Sequence, residues 1–136
     1  MKRKGWITVI LVSAVLMVGL STGVRAESSG QVSVVSLKDE ITPAMSAYLA
    51  DQIELANLSG RKGIVIDITT LGGLVHSALE MRDAILDSGI PVVVFVRNRA
   101  ESAGSLITIA ADRIVMAPGS HMGAAEPIPY SEKAVA

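Results

Sequence analysis

The hydrophobic and polar positions in the middle of the chain follow two patterns that alternate. Short runs rich in aliphatic and β-branched residues are typical of buried strands, and they cover residues 32–37, 63–69, 91–96 and 113–116. Between them, apolar residues recur at helical spacing, over residues 43–58, 74–88 and 102–111. Thr42 is the predicted cap of the first helix, with Pro43 at its first position. This alternation predicts an α/β fold with a largely parallel sheet.

The segments between these elements are polar or rich in small residues. Residues 97–99 are predicted to form a polar turn that ends the third strand, and residues 118–127 a loop that contains His121. Residues 131–136 have the pattern of a first helical turn with no stop signal. The sequence therefore predicts one domain, residues 27–136, that is incomplete at its C-terminus.

The first 26 residues have a pattern of their own. The basic residues at positions 2–4 precede an apolar run over 6–20, and small residues follow up to Ala26. This order predicts a signal peptide, residues 1–26, that is cleaved after Ala26. The apolar run is shorter than the roughly 20 residues of a spanning helix, and an uncleaved membrane anchor stays the alternative. Either interpretation predicts that the rest of the chain is exported across the cytoplasmic membrane.

The composition excludes several classes of function. The chain is 50% hydrophobic but contains only one Trp, two Tyr and one Phe, so its core must be aliphatic. The formal net charge of −1 and the lack of a basic patch argue against nucleic-acid binding. The lack of cysteine excludes disulfides and thiolate catalysis. Glu126 has no second ligand at a recognised spacing, so we predict no metal and no other cofactor.

Two turns that follow predicted strands carry groups suited to acyl transfer. Gly72 and Gly73 precede a helix, where their N–H groups can approach a ligand closely and form an oxyanion hole. Ser102 begins the next helix with an uncrowded hydroxyl, beside the N–H of Ala103. Each feature also has a structural interpretation, since glycine pairs form ordinary turns and serines commonly cap helices. Ser105, one helical turn further on, is interpreted as a packing residue.

A serine nucleophile needs a general base, and the sequence contains several candidate bases. His121 and Lys133 both follow Ser102 in the chain. His76 lies in the helix after the glycine pair, and Lys38 lies beside two carboxylates. A lysine base must be uncharged at working pH, which burial can achieve. Spacing alone does not select one of them.

A resemblance to a known family is carried by three segments, residues 102–104, 110–119 and 123–127. They read Ser-Ala-Gly, Ala-Ala-Asp-Arg-Ile-Val-Met-Ala-Pro-Gly and Gly-Ala-Ala-Glu-Pro, and they resemble the NfeD family of membrane-bound, Clp-protease-like serine peptidases. The resemblance covers about residues 32–136. It implies stacked strand–strand–helix units, as in Clp protease and the crotonases, and a Ser–Lys dyad in place of a Ser–His–Asp triad.

The resemblance also implies roles for individual residues. Ser102 matches the nucleophile, and Lys133 matches the lysine that opens the helix after the Gly-Ala-Ala-Glu-Pro loop. Gly72 and Gly73 match the glycine pair whose N–H groups, with that of Ala103, hold the oxyanion. The family's Asp-Thr-Pro-Gly-Gly reads Thr-Thr-Leu-Gly-Gly over residues 69–73, which predicts a looser turn.

The position of the catalytic histidine in Clp protease corresponds to Ala125 in this chain. His121 is offset from that position, and the resemblance therefore favours Lys133 as the base.

The expected function is that of a serine endopeptidase that cleaves hydrophobic segments of membrane-associated proteins. The resemblance further implies a homo-oligomer with an extracytoplasmic, membrane-associated peptidase domain and a polypeptide substrate. One alternative is a catalytically weak or inactive scaffold module in a membrane assembly. A crotonase-type acyl-CoA enzyme is the other, although the export signal argues against it.

Overall fold

A computed structural model describes residues 30–126 of the chain. Strands and helices alternate along it in the order β1 (Ser33–Lys38), α1 (Pro43–Leu58), β2 (Ile64–Thr70), α2 (Val75–Leu86), β3 (Val92–Glu101), α3 (Ala103–Ile109), β4 (Arg113–Met116) and β5 (His121–Gly123). Helix α1 begins as predicted, because the Thr42 hydroxyl accepts a hydrogen bond from the N–H of Met45 and Pro43 occupies the first turn.

The five strands form one parallel sheet. Its order is β1-β2-β3-β4, and β5 pairs with the end of β3 beyond the region that pairs with β4. Val35 lies opposite Ile66, Ile66 opposite Val94, and Val94 opposite Ile114, so one row of aliphatic side chains crosses the sheet. The prediction of an α/β fold with a largely parallel sheet is confirmed.

The core lies between one face of this sheet and the helices. Alternate residues in the central parts of β1, β2 and β3 are at most 1% exposed: Val35, Leu37, Ile64, Ile66, Ile68, Val92, Val94 and Val96. These side chains pack in one cluster with buried residues of the helices: Leu49, Ile53, Ala56, Ala78, Met81, Ile85 and Ile107. Their burial is the main stabilising term of the fold, at about 25 cal/mol per Å² of apolar surface.

Strand β3 is longer than predicted. Val96 pairs with Ile68 and Ala100 pairs with Thr70, so β3 contains two more residues than β2 over this interval and bulges. The predicted polar turn at residues 97–99 and the predicted loop at His121 are both wrong, because the extended β3 supplies backbone partners for β5. Residues 97–99 are polar, so the hydrophobic pattern did not predict that the strand continues through them.

One of these polar residues, Arg97, is held on the face of the sheet opposite the helices. Its Nη2 lies 2.6 Å from Oδ2 of Asp67, and its guanidinium lies 5.3 Å from the centre of the Phe95 ring. The hydrogen bond to Asp67 raises the pKa of Arg97 above its ordinary value, and the charge of Asp67 adds to this effect. The ion pair with Asp67 thus holds the Arg97 side chain on this face of the sheet.

Asp112 joins the start of β3 to the segment between α3 and β4. Its carboxylate accepts the Val92 N–H at 2.7 Å, and its own N–H donates to the Val92 carbonyl at 3.0 Å. We expect Asp112→Ala to lower the free energy of unfolding by about 1–2 kcal/mol, because the Val92 N–H loses a charged acceptor. Urea unfolding at neutral pH measures this, with the exposed Asp87→Ala as control. Equal stability of the two variants would show that the Asp112 carboxylate does not contribute to the free energy of unfolding.

No helix within residues 30–126 combines the length and apolar character required to cross a bilayer. The predicted signal peptide, residues 1–26, and Lys133 lie outside the described residues.

Candidate active site

Ser102 occupies a strained turn between β3 and α3. Its φ is 51° and its ψ −118°, a backbone conformation that non-glycine residues rarely adopt. Its N–H donates to the Gly123 carbonyl at 2.8 Å, and its own carbonyl accepts the Ser105 N–H at 2.9 Å. The Ser102 side chain makes no capping hydrogen bond, so the helix-cap interpretation is wrong and the residue lies exposed at the surface of the site.

The glycine turn after β2 packs directly against this serine. A Cβ atom placed on Gly72 would lie 2.9 Å from Ser102 Cβ and 3.3 Å from Ser102 Oγ, and Gly72 has a φ of 111°. Gly73 has a φ of 153°, and a Cβ there would overlap the backbone of Ile41. The structure thus brings the predicted glycine pair and the predicted nucleophile together, and it leaves no room for a side chain at either glycine.

The two glycine N–H groups have different surroundings. That of Gly72 donates to Oγ1 of Thr70 at 3.0 Å, so it is already paired. Gly73 forms a parallel bridge with Ile41, in which the Ile41 N–H donates to the Gly72 carbonyl and the Leu74 N–H to the Ile41 carbonyl. In such a bridge these bonds involve the residues flanking Gly73, so its own N–H points away from Ile41. Gly73 is also exposed, whereas Gly72 is buried.

Ala103 supplies a second N–H beside the serine. It is the first residue of α3, and the N–H groups of a helix's first turn have no acceptor within the helix. The Ala103 residue is 6% exposed and lines the cavity beside Ser102. Groups of this kind stabilise a developing negative charge.

Thr70 ties the two turns together. Its hydroxyl donates to the Asp39 carbonyl at 2.5 Å and accepts the Gly72 N–H, while the residue is 2% exposed. A Cβ on Gly104 would overlap the Thr70 methyl group, so glycine is required two residues after the nucleophile. Leu71, which stands where the family has proline, is exposed. These contacts join the glycine turn to the segment after β1 and to the first turn of α3.

A cavity of about 340 Å³ adjoins Ser102. Most of its wall is apolar and comes from helices α2 and α3, with a single charged residue from the segment after β5. The lining residues besides Ser102 are Val75, Ala78, Ala103, Leu106, Ala125 and Glu126. The cavity has room for an apolar side chain next to the serine hydroxyl.

Both histidines have a glutamate partner. His121 Nε2 lies 2.8 Å from Glu101 Oε1, and His76 Nε2 lies 3.3 Å from Glu80 Oε1 on the exposed surface of α2. His121 pairs in register with Arg99, so its side chain shares a face of the sheet with Arg99 and Glu101. Arg99 and His121 thus flank the same carboxylate.

Residues 31–135 match the model of one protein family, the NfeD1b N-terminal domain. This chain belongs to that family.

Two relatives of this NfeD1b N-terminal domain are named as a membrane protein and a membrane-bound protease. Membrane protein NfeD1b of Bacillus subtilis is 38% identical over 109 residues, which are 80% of this chain and 25% of that protein. A lysine-to-alanine variant of the 1510-N membrane-bound stomatin-specific protease, solved with a substrate peptide, is 31% identical with a TM-score of 0.71. That comparison covers 78% of this chain and 50% of the protease chain.

ClpP1 of Listeria monocytogenes shares the fold of the NfeD1b domain. It is 27% identical with a TM-score of 0.56, over 57% of this chain and 46% of the ClpP1 chain. The fold is therefore Clp-protease-like, as the resemblance implied. The chain spans about a quarter of the length of the curated relatives that it matches and about half of the solved protease domain.

Sequence reasoning found four of the residues that meet at this site of the NfeD1b domain, Ser102, Ala103 and the glycine pair, and it missed Thr70. The only available signal was a small β-branched hydroxyl residue two positions before the first paired glycine. Its hydrogen bond to the Asp39 carbonyl joins segments 31 residues apart in the chain, so spacing alone does not reveal it.

Proposed function

We propose that this chain is the peptidase domain of a serine endopeptidase, with Ser102 as nucleophile and Lys133 as general base. The observation that carries this proposal is the contact between the exposed, strained Ser102 and the glycine turn that packs against it. Solved forms of the related 1510-N protease include a serine-to-alanine variant and the lysine-to-alanine variant with its substrate peptide, which also support it.

The proposed reaction is acyl transfer in two steps. Uncharged Lys133 takes the proton of the Ser102 hydroxyl as Oγ attacks the peptide carbonyl carbon. The tetrahedral intermediate collapses, the C–N bond breaks, and Lys133 returns the proton to the leaving amine. Water, deprotonated by Lys133, then attacks the ester, and the released Ser102 oxygen regains a proton.

The oxyanion hole is assigned to the N–H groups of Gly73 and Ala103. Neither is used by the backbone bonds described above. Ala103 directly follows the nucleophile, and Gly73 follows Gly72, which lies against it. The N–H of Gly72 already donates to Thr70, so the part of Gly72 is to leave space for the serine side chain. Donors fixed before the reaction stabilise the transition state without reorganisation.

The proposed substrate is a polypeptide with an apolar segment, such as one in a membrane-associated protein. The wall of the cavity beside Ser102 is mostly apolar, which suits an apolar side chain next to the scissile bond. The related proteins are named a membrane protein and a membrane-bound protease. We extend this to a membrane-associated, extracytoplasmic homo-oligomer, in keeping with the predicted export signal.

A pair of matched peptides tests the substrate assignment. One contains an apolar segment, and in the other serine and asparagine replace the apolar residues. We expect kcat/KM to be at least about 10-fold higher for the apolar peptide, since pocket filling discriminates by this amount or more. Equal rates would rule out selection by the cavity, and cleavage of neither peptide would count against the endopeptidase assignment.

A further inference from the structure

We propose that Ser105 is a positioning residue for the nucleophile, an inference that rests on the proposed peptidase function. Its hydroxyl lies 2.7 Å from the carbonyl oxygen of Ala100 and 2.7 Å from that of Gly123. It also accepts the Gly123 N–H at 2.8 Å. One side chain, 6% exposed, therefore joins the end of β3, the first turn of α3 and the end of β5.

These bonds converge on the backbone of Ser102. The Gly123 carbonyl that faces the Ser105 hydroxyl also accepts the Ser102 N–H at 2.8 Å, and the Ser105 N–H donates to the Ser102 carbonyl at 2.9 Å. A residue held at positive φ keeps that conformation only when its surroundings constrain it strongly. Ser105 constrains Ser102 on both sides, directly through its N–H and indirectly through Gly123.

The same bonds set the wall of the cavity. Ala125 and Glu126 line it beside Ser102, and they follow Gly123 after a residue, Ala124, whose φ is 53°. Because the Ser105 hydroxyl accepts the Gly123 N–H and has one hydrogen for either the Gly123 or the Ala100 carbonyl, it fixes where this segment leaves the sheet. Loss of the hydroxyl would let Ser102 and the cavity wall shift relative to each other.

Thr108, on the same helix, has a hydroxyl that makes a hydrogen bond only within that helix. It is fully buried, and its Oγ1 donates at 2.8 Å to the carbonyl of Gly104, four residues earlier in α3. Such a bond only supplements the helix and reaches no other element. Thr108→Val removes a buried hydroxyl and replaces threonine with a side chain of similar volume. The Thr108 hydroxyl makes no bond to Ser102 or Gly123, so this variant is the matched control.

The test measures peptide cleavage by the full chain carrying Ser105→Ala, Ser105→Cys or Thr108→Val. We expect Ser105→Ala to lower kcat about 30–100-fold, because misplacement of a reacting group by about 1 Å costs this much. KM should change by a smaller factor than kcat, because a shifted wall still admits the apolar side chain while the displaced nucleophile slows the chemical step. Thr108→Val should keep kcat within about 2-fold of the unmodified chain.

Ser105→Cys keeps the test decisive if the alanine variant does not fold. A thiol has a similar shape but is a weak hydrogen-bond donor and acceptor, so kcat should fall by about 10-fold. An unchanged kcat in Ser105→Cys, or parallel losses of kcat in Ser105→Ala and Thr108→Val, would overturn the positioning role.

Labelling of Ser102 by a fluorophosphonate separates this proposal from the function on which it rests. If the unmodified chain is labelled and Ser105→Ala is labelled at the same rate, the positioning role is wrong and the peptidase assignment stands. If the folded, unmodified chain is neither labelled nor active, the peptidase assignment itself is wrong.

Discussion

Replacement of Ser102 by alanine is expected to abolish peptide cleavage, with a loss of about 10⁴–10⁶ in kcat. The covalent step needs an oxygen at this position, and only background hydrolysis aided by the oxyanion donors would remain. The fold should persist, because the side chain makes no capping hydrogen bond and is exposed. Cleavage of the apolar peptide measures the loss, and thermal unfolding checks the fold.

Ser36→Ala is the control for this variant, since Ser36 is an exposed serine in β1, away from the turn. It should retain full activity. Residual cleavage by Ser102→Ala above about 1% of the unmodified rate would mean that another nucleophile performs the reaction.

Replacement of Gly72 by alanine should lower kcat by about 100-fold or more, because the new methyl group would displace Ser102 from the glycine turn. Its Cβ would lie 2.9 Å from Ser102 Cβ and 3.2 Å from the Glu101 carbonyl oxygen, and the φ of 111° adds backbone strain. The peptide-cleavage assay measures this loss alongside the free energy of unfolding.

Gly60→Ala separates strain from displacement. Gly60 also has a positive φ, 63°, but nothing lies within 4 Å of a Cβ placed there. We expect it to lose about 1 kcal/mol of stability, the cost of a left-handed non-glycine residue, and to keep its activity. Comparable losses of kcat in the two glycine variants would contradict the steric role of Gly72.

The fold class could be predicted from the sequence because it depends on a local pattern. Runs such as residues 64–68 and 92–96 place every second side chain in the core, and the aliphatic composition suits strands covered by helices. Thr42 and Pro43 mark the start of α1 through interactions within one turn. Such signals lie within a few residues of the feature that they predict.

The parts that sequence reasoning missed depend on partners far away in the chain. The extended end of β3 pairs with Thr70 of β2 on one side and with β5 on the other. Strand β5 in turn forms only because it pairs with this end of β3. Ser105 looks like a packing residue until Gly123, eighteen residues later, is seen against its hydroxyl. The role of Thr70 likewise depends on its hydrogen bond to the Asp39 carbonyl, 31 residues earlier in the chain.

The central claim is that an uncharged Lys133 activates the Ser102 hydroxyl. The most direct measurement is covalent labelling of the full chain by a fluorophosphonate, with the modified residue identified by mass spectrometry. We predict an adduct on Ser102 that is lost in Lys133→Ala and retained in His121→Ala. Labelling that survives Lys133→Ala but disappears in His121→Ala would contradict the dyad, and no labelling of the folded chain would contradict an activated serine altogether.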